Sequence, residues 1–401
     1  MAEFKASEAL SRIKPSPTIA MSQKAIDLKR QGKDVIALAA GEPDFPTPEH
    51  IAEAGIRAIR DGKTQYTSVD GIMELKEAVA AKFTRDNSLT YDPGSEICVA
   101  SGGKFVLYAA LMATVDKGDE VIIPAPYWVS YPGMTKLAGG EPVFVETKQE
   151  DGFRLMPDDL EAAITPKTRW LILNSPSNPT GAILSRSDLK ALADVLMRHP
   201  HVWVLTDDIY EHVLYDAEFA TIAEVEPGLK DRTLTMNGAS KAYSMTGWRI
   251  GYAGGPAPLM AAMRKLFSQS TTNPCSISQW AAVAALEGPH DFLAERNKAF
   301  RERRDFLLDA FDAMPGISCE KPEGAFYLYP RCEGLIGKSA GGKVMETDLD
   351  VAEALLVQEL VALVPGTAFG KAPYLRLSYA ASMESLQEAA KRIARFCDSV
   401  R

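Results

Sequence analysis

From about Thr47 onward the chain alternates between two hydrophobic periods. Pro48 to Arg60 carries Ile51, Ala54 and Ala58, and Ile72 to Phe83 carries Leu75, Val79 and Phe83. Apolar residues three or four apart predict amphipathic helices. Seven short apolar runs follow, at Glu96 to Ala100, Glu120 to Ile123, Pro142 to Glu146, Trp170 to Leu173, Val202 to Leu205, Thr233 to Met236 and Arg249 to Ala253. Most are separated by a helical stretch. This alternation predicts an α/β fold whose large domain holds a mostly parallel seven-stranded sheet with helices on both faces.

After Gly255 the pattern turns helical, at Pro258 to Gln269, Ile277 to Leu286 and a long charged stretch from Asp291 to Met314. Strand-like segments at Ala325 to Tyr329 and Tyr374 to Tyr379 then alternate with helices at Leu349 to Leu360 and Ser382 to Phe396, as in a smaller α+β domain. The expected division is an N-terminal segment 1–46 joining the small domain, a large domain 47–290 and a small domain 291–401. Gly334 to Val344 reads as a surface loop, and no internal repeat appears.

With 401 residues the chain is long enough for two domains, and 46% hydrophobic and 24% charged residues are ordinary for a globular protein. The net charge of -9 argues against a nucleic-acid or anionic-membrane partner and favours a small molecule. Five scattered cysteines without a CxxC pair suggest neither a disulfide framework nor a metal site. Neither a signal-peptide core nor an apolar run of about 18 residues occurs, so a cytoplasmic location is expected.

The most informative stretch is Gly238-Ala239-Ser240-Lys241-Ala242-Tyr243-Ser244-Met245-Thr246-Gly247-Trp248-Arg249-Ile250-Gly251. Small neighbours let a flat ring approach the backbone, and desolvation plus nearby positive charge prepare a lysine to attack a carbonyl. Arg249 can supply that charge while gripping a phosphate. A surface lysine beside a turn reads the same way, so the surrounding motifs must decide.

Asp207-Asp208-Ile209-Tyr210 ends an apolar run, where ligands of open α/β sheets bind, although a solvated acidic cap fits the same pattern. Asn174-Ser175-Pro176-Ser177-Asn178-Pro179-Thr180-Gly181 is at minimum a tight turn after a strand. Ser101-Gly102-Gly103-Lys104 joins a strand to the apolar helix Phe105 to Thr114, and bare amides at a helix N-terminus suit phosphate. Trp128, in Pro126-Tyr127-Trp128-Val129-Ser130-Tyr131-Pro132, can stack on a ring or serve as a core aromatic. Arg376 lies in an alternating apolar strand, where it needs a carboxylate from either an internal salt bridge or a substrate.

In this order the motifs closely resemble the class I aminotransferases of fold type I, which depend on pyridoxal 5'-phosphate, and the resemblance runs from about Ser11 to Arg395. It implies a Schiff base on Lys241, with Asp207 at the pyridine nitrogen and Tyr210 and Asn178 at the ring oxygen. By the same resemblance Trp128 would stack on the ring, and Gly103, Lys104, Ser240 and Arg249 would belong to the cofactor site. It also implies that Arg376 takes the substrate α-carboxylate, close to Asn178 and Trp128, and that Gly41, in Gly41-Glu42-Pro43-Asp44-Phe45, touches the substrate. Tyr66, in Lys63-Thr64-Gln65-Tyr66-Thr67-Ser68, crosses to a neighbouring subunit's phosphate, which implies a homodimer with shared active sites. Phe105 departs from the family, which often has glutamine there.

Leu10-Ser11-Arg12-Ile13-Lys14-Pro15-Ser16-Pro17-Thr18 and the Trp128 run look most like bacterial aspartate and aspartate/prephenate aminotransferases. The resemblance places Lys14, Ser16 and Thr18 at the second carboxylate of a dicarboxylic substrate, on a stretch whose prolines predict an extended flap. The expected activity is amino transfer between aspartate or glutamate and 2-oxoglutarate or oxaloacetate, with prephenate as a further acceptor. Aromatic amino acid transamination and β-lyase chemistry would use the same core residues. A cofactor-sensing transcription factor would need a DNA-binding segment, for which the stretch before Lys14 offers no room.

Overall fold

The computed structural model of the chain describes residues 4–14 and 17–401. Its seven-stranded sheet runs in the order Ile97–Ala100, Gly251–Gly254, Thr233–Gly238, Trp203–Asp207, Thr168–Asn174, Glu120–Ala125, Glu141–Glu146. The last five strands are mutually parallel, and Gly251–Gly254 alone runs against its neighbours. The expected α/β architecture is therefore present, with a sheet that is mixed at one edge. The strand expected at Arg249 starts two residues later, because Arg249 is left-handed at φ 58° and turns the chain into the sheet.

The strands read as continuous apolar runs because both sheet faces are covered. Successive side chains alternate faces. Val121, Ile123, Trp170 and Ile172 pack on the helices Gly103–Thr114 and Ala257–Ser268 through Val106, Leu107, Met260 and Met263. Ile122, Leu171, Leu173 and Val204 point the other way, onto Leu189, Leu192 and Leu196 of the helix Arg186–Arg198. Ser185 and Asp188 close a reciprocal capping box at that helix's start.

A smaller unit is built on the antiparallel strands Val364–Pro365, Leu375–Ser378 and Tyr327–Leu328. Its core joins Leu355, Leu377 and Phe396 to Leu307 and Phe311 of the long helix Asp291–Asp312. Met21, Ala25, Val35 and Leu38 enter the same core, and Ile36–Ala37 pairs in parallel with Val361–Ala362.

Two local expectations are corrected. Pro17 opens the helix Pro17–Arg30 rather than extending a flap, since proline's fixed φ and missing N–H suit a first helical position. Within Gly334 to Val344, Ser339–Ala340 and Lys343–Val344 form a small hairpin whose turn residues Gly341 and Gly342 both have positive φ. Among the described residues no helix is long and apolar enough to cross a membrane.

Candidate active site

Strands of a parallel sheet deliver their carboxyl ends to one edge, and here Ala125, Asn174, Asp207 and Gly238 end four of them. Beside these ends lies a cavity of about 290 Å³, closed from the smaller unit by Tyr327 and Arg376. Gly41, Gly103, Lys104, Trp128, Asn178, Asp207, Tyr210, Ser240, Lys241, Arg249 and Arg376 all line it, so residues more than 300 positions apart in sequence meet in one place.

Lys241 donates from Nζ to the carbonyl of Gly41 at 2.5 Å. Burial first, and then the Arg376 guanidinium, lower its ammonium to about 8, so an appreciable fraction is the free amine near neutral pH. The loop carrying Gly41 is tied to the lysine segment again where Thr246 donates from Oγ1 to Glu42 Oε2 at 2.9 Å.

Asp207 is buried, and that burial pushes its carboxyl up to about 6 against a hydrogen bond from Tyr131. Among the described residues its Oδ1 has no hydrogen-bond partner. An unpartnered buried carboxylate oxygen calls for a donor, which a protonated ring nitrogen supplies. Tyr210 shares a hydrogen bond of 2.7 Å with Tyr327, linking the large sheet to the small one.

The helix Gly103–Thr114 starts with no side-chain cap, which leaves first-turn amides free for an anion. Arg249 lies against this turn, so a side chain on Gly102 would push its guanidinium out of the corner. Gly102 also sits at φ 94°, a second reason for glycine. Lys104 is lowered by burial and then by Arg249, and its Nζ sits 4.8 Å from the Trp128 ring centroid. Two cations and a helix N-terminus therefore make one corner strongly anion-binding.

Arg376 marks the opposite corner. Only 3% of its surface is exposed, yet among the described residues no carboxylate lies within salt-bridge distance. The internal salt bridge left open by the sequence is thus not formed. Arg376 donates to Asn178 Oδ1 at 2.9 Å and to the Ala39 carbonyl at 2.6 Å, while its Nε has no partner among the described residues. A desolvated guanidinium with spare donors is suited to a ligand carboxylate.

Three residues of the site were missed from the sequence, Asn174 and Tyr327 in the cavity lining and Tyr131 through its bond to Asp207. Tyr131 donates to Asp207 Oδ2 at 2.7 Å, Asn174 donates from Nδ2 to the Asp207 carbonyl at 2.7 Å, and Tyr327 faces Arg376 at 4.7 Å from the ring centroid. Tyr131 and Asn174 stand inside motifs already singled out, whereas Tyr327 lies in an apolar strand without any local signal. Other expected residues lie elsewhere. Tyr66 is 90% exposed in an open groove with Cys275 and Ile277, and Lys14 is exposed ahead of the first long helix. Ser16 falls outside the described residues, and of Thr18 only the helical backbone is described.

The sequence profile of the aminotransferase class I and II family matches residues 33–393. The chain belongs to this pyridoxal-phosphate-dependent, fold type I family. Over 392 residues it is 58% identical to a probable aspartate/prephenate aminotransferase of Rhizobium leguminosarum bv. phaseoli, covering 97% of this chain and 98% of the relative. An aspartate/prephenate aminotransferase of Cereibacter sphaeroides is 57% identical over 393 residues, 98% of each chain. The crystal structure of the aspartate aminotransferase from Rhizobium meliloti superimposes with a TM-score of 0.97 at 52% identity, covering both chains completely.

Beneath the site of this aminotransferase, the turn that carries Asp207 and Tyr210 is pinned by charge. Asp86, Glu211 and His212 bring ligand-type atoms within 4.8 Å of one another, but the buried Lys82 ammonium pairs with Glu211 and supplies the cation. Burial works against a charged His212, yet the Glu211 and Asp86 carboxylates raise it to about 9. The cluster is an ion-pair network between this turn and the helix Met73–Asn87.

Proposed function

We propose that the protein transfers amino groups between aspartate or glutamate and 2-oxoglutarate or oxaloacetate by a ping-pong mechanism, with prephenate as a further amino acceptor. The observation that carries this reading is the buried, carboxylate-free Arg376 across one cavity from the desolvated Lys241. The names of the relatives, aspartate and aspartate/prephenate aminotransferases, support the substrate class.

The cavity residues fit pyridoxal phosphate. Arg249, Lys104, Ser240 and the first-turn amides at Gly103 would hold the phosphate, Asp207 Oδ1 the ring nitrogen, Asn178 and Tyr210 the ring oxygen, and Trp128 the ring face. Bound there, the cofactor supplies an aldehyde for the amine and a ring that withdraws the electron pair left when Cα loses its proton. Arg376 grips the substrate α-carboxylate and, with Gly41, fixes which Cα bond faces Lys241. As a free amine, Lys241 Nζ would take the Cα proton as general base and hold it for return. Asp207 stays ionised to balance the ring-nitrogen charge, and Tyr210 and Asn178 keep the oxygen side polar.

The proposal includes a homodimer in which Tyr66 completes the partner's phosphate site, for which its 90% exposure in this chain is the support. It also divides the chain at 1–46, 47–290 and 291–401. The pairing of Ile36 with Val361 supports placing the first segment with the last. A cytoplasmic location accords with five free cysteines. The deciding experiment mixes the loaded enzyme with aspartate, glutamate, phenylalanine and arogenate, one at a time, and follows loss of the Schiff-base absorbance. Fast loss with aspartate and glutamate is expected, and loss only with phenylalanine would replace the reading with an aromatic aminotransferase.

A further inference from the structure

The long helix Asp291–Asp312 places Arg296, Phe300 and Arg303 at intervals of four and three, so they share one face. That face meets both pieces of chain that bracket Lys241. Arg303 forks onto Asp44 with bonds of 2.8 and 2.9 Å, and Phe45 lies 5.4 Å edge-to-face from Phe300. Arg296 reaches further, donating from Nη2 to the Pro46 carbonyl at 2.7 Å. Its Nη1 donates to the Ala242 carbonyl at 3.2 Å and to Ser244 Oγ at 3.0 Å.

One guanidinium thus joins the loop whose Gly41 carbonyl receives the Lys241 amine to the peptide immediately after Lys241. It does so without a carboxylate in salt-bridge distance among the described residues, so its donors are committed to backbone and hydroxyl oxygens. Ser244, one of its acceptors, is held in the left-handed region at φ 51°. Such a conformation persists in a non-glycine residue only where the surroundings fix it. Thr47 adds a second tie by donating from Oγ1 to the Ser244 carbonyl at 2.7 Å.

We propose that Arg296 is a positioning residue for Lys241, clamping segment 242–244 against the Gly41–Pro46 loop so that the amine stays aimed into the cavity. This rests on the reading of Lys241 as the Schiff-base lysine. Three donors in a planar fork are needed, since Pro46, Ala242 and Ser244 lie on two chain segments, and a lysine ammonium on a flexible stem cannot keep the same fixed geometry. The clamp sits on the helix that also enters the smaller unit's core, so Arg296 ties the lysine segment to that core as well.

The test compares wild type, Arg296→Met, Arg296→Lys and Ser244→Ala. Each full-length protein is dialysed free of cofactor, pyridoxal phosphate is added back and the rise of Schiff-base absorbance is timed. Borohydride reduction and peptide mapping then locate the adduct. Steady-state kcat and KM for aspartate are measured on the reloaded enzymes. Arg296→Met is expected to slow Schiff-base formation and lower kcat by about tenfold or more while changing KM less than about threefold, because misplacement of a reacting group acts on rate rather than affinity. Arg296→Lys should fall between Arg296→Met and wild type, and Ser244→Ala, which deletes one of three contacts, should slow both rates by about two- to fivefold. A folded Arg296→Met with its adduct on Lys241 and both rates within about twofold of wild type would overturn the proposal. If Arg296→Met does not fold, unchanged rates in Ser244→Ala overturn it instead. A wild-type adduct on another lysine overturns the Lys241 reading itself, an outcome visible before any Arg296 variant is made.

Discussion

The hydroxyl of Tyr131 donates to Asp207 Oδ2 at 2.7 Å, and both side chains are buried. Burial raises the Asp207 carboxyl to about 6, and this bond is the largest influence in the other direction. Tyr131→Phe keeps the ring but removes the donor, so it should raise Asp207 further and thin the carboxylate population at neutral pH. A hydrogen bond to a charged group contributes about 1.5–3 kcal/mol, a rise of roughly one to two pKa units, which thins the carboxylate at pH 7 and sets the expected loss in kcat/KM for aspartate at roughly two- to fifteenfold. The loss should shrink as pH rises. A pH profile of the variant that superimposes on wild type would show that Tyr131 does not control this ionisation.

Asp207 also links stability to pH. Its carboxyl sits near 6 in the fold against an ordinary 3.8, so the native state holds the proton more tightly than the unfolded state. Stability is therefore lost as pH rises from about 4 to about 6, and the penalty is constant above that, on the order of 3 kcal/mol. In the cofactor-free protein, Asp207→Asn should be more stable than wild type at pH 8, and the gap should close near pH 4. Denaturant titrations at the two pH values check this. A variant less stable at pH 8 would contradict the sign.

The sheet was legible because its central strands are short apolar runs buried on both faces, with turn residues between, and only the edge strand Glu141–Glu146 is largely uncovered. Its mixed edge was not, because the reversal of Gly251–Gly254 depends on Arg249 taking a left-handed conformation that residue type alone does not announce. That Lys241, Asp207 and Asn178 would meet in one place was legible because each stands in a short motif at or just after the end of an apolar strand run. Tyr327 and Arg296 were not, since each acts from an ordinary strand or helix across a tertiary contact. Pro17 misled through an average rule, as proline breaks helices in their interior and not at their first position.

Lys241 is the proposed covalent attachment point, and its amine is the one buried against Gly41 in the cavity. Lys241→Ala should abolish turnover while retaining cofactor binding, because the phosphate corner at Arg249 and the Asp207 contact remain. Equilibrium dialysis measures the retained cofactor, and borohydride reduction should give no protein adduct. Turnover at the wild-type rate, or an adduct on another lysine, would move the chemistry elsewhere.

Arg376 is the proposed ligand of the α-carboxylate, the group that every amino acid substrate shares. Arg376→Ala leaves a substrate carboxylate unpaired opposite Asn178, which should cost about 2–5 kcal/mol in kcat/KM for aspartate, glutamate and phenylalanine alike. Its own burial without a counter-charge gives a second expectation, that the variant loses little stability in the absence of substrate. Comparing the three specificity constants is the check. A defect confined to one amino acid would make Arg376 a side-chain reader and place the α-carboxylate elsewhere.

Lys14 carries the prediction most exposed to refutation. It lies on the surface between the short helix Glu8–Ser11 and the helix Pro17–Arg30, whose Met21 and Ala25 anchor it in the smaller unit's core. Only a short stretch therefore has to move, and it can move with the unit that also carries Arg376. If it closes over the cavity, the ammonium meets the second carboxylate of a dicarboxylic substrate in a partly dried setting. Lys14→Ala should then lower kcat/KM for aspartate, glutamate and prephenate by about 1–3 kcal/mol, the scale of a charge-assisted hydrogen bond, and spare phenylalanine. A solvated lysine would affect no substrate selectively. The measurement is the ratio of specificity constants for aspartate and phenylalanine in variant and wild type, and an unchanged ratio removes Lys14 from dicarboxylate recognition.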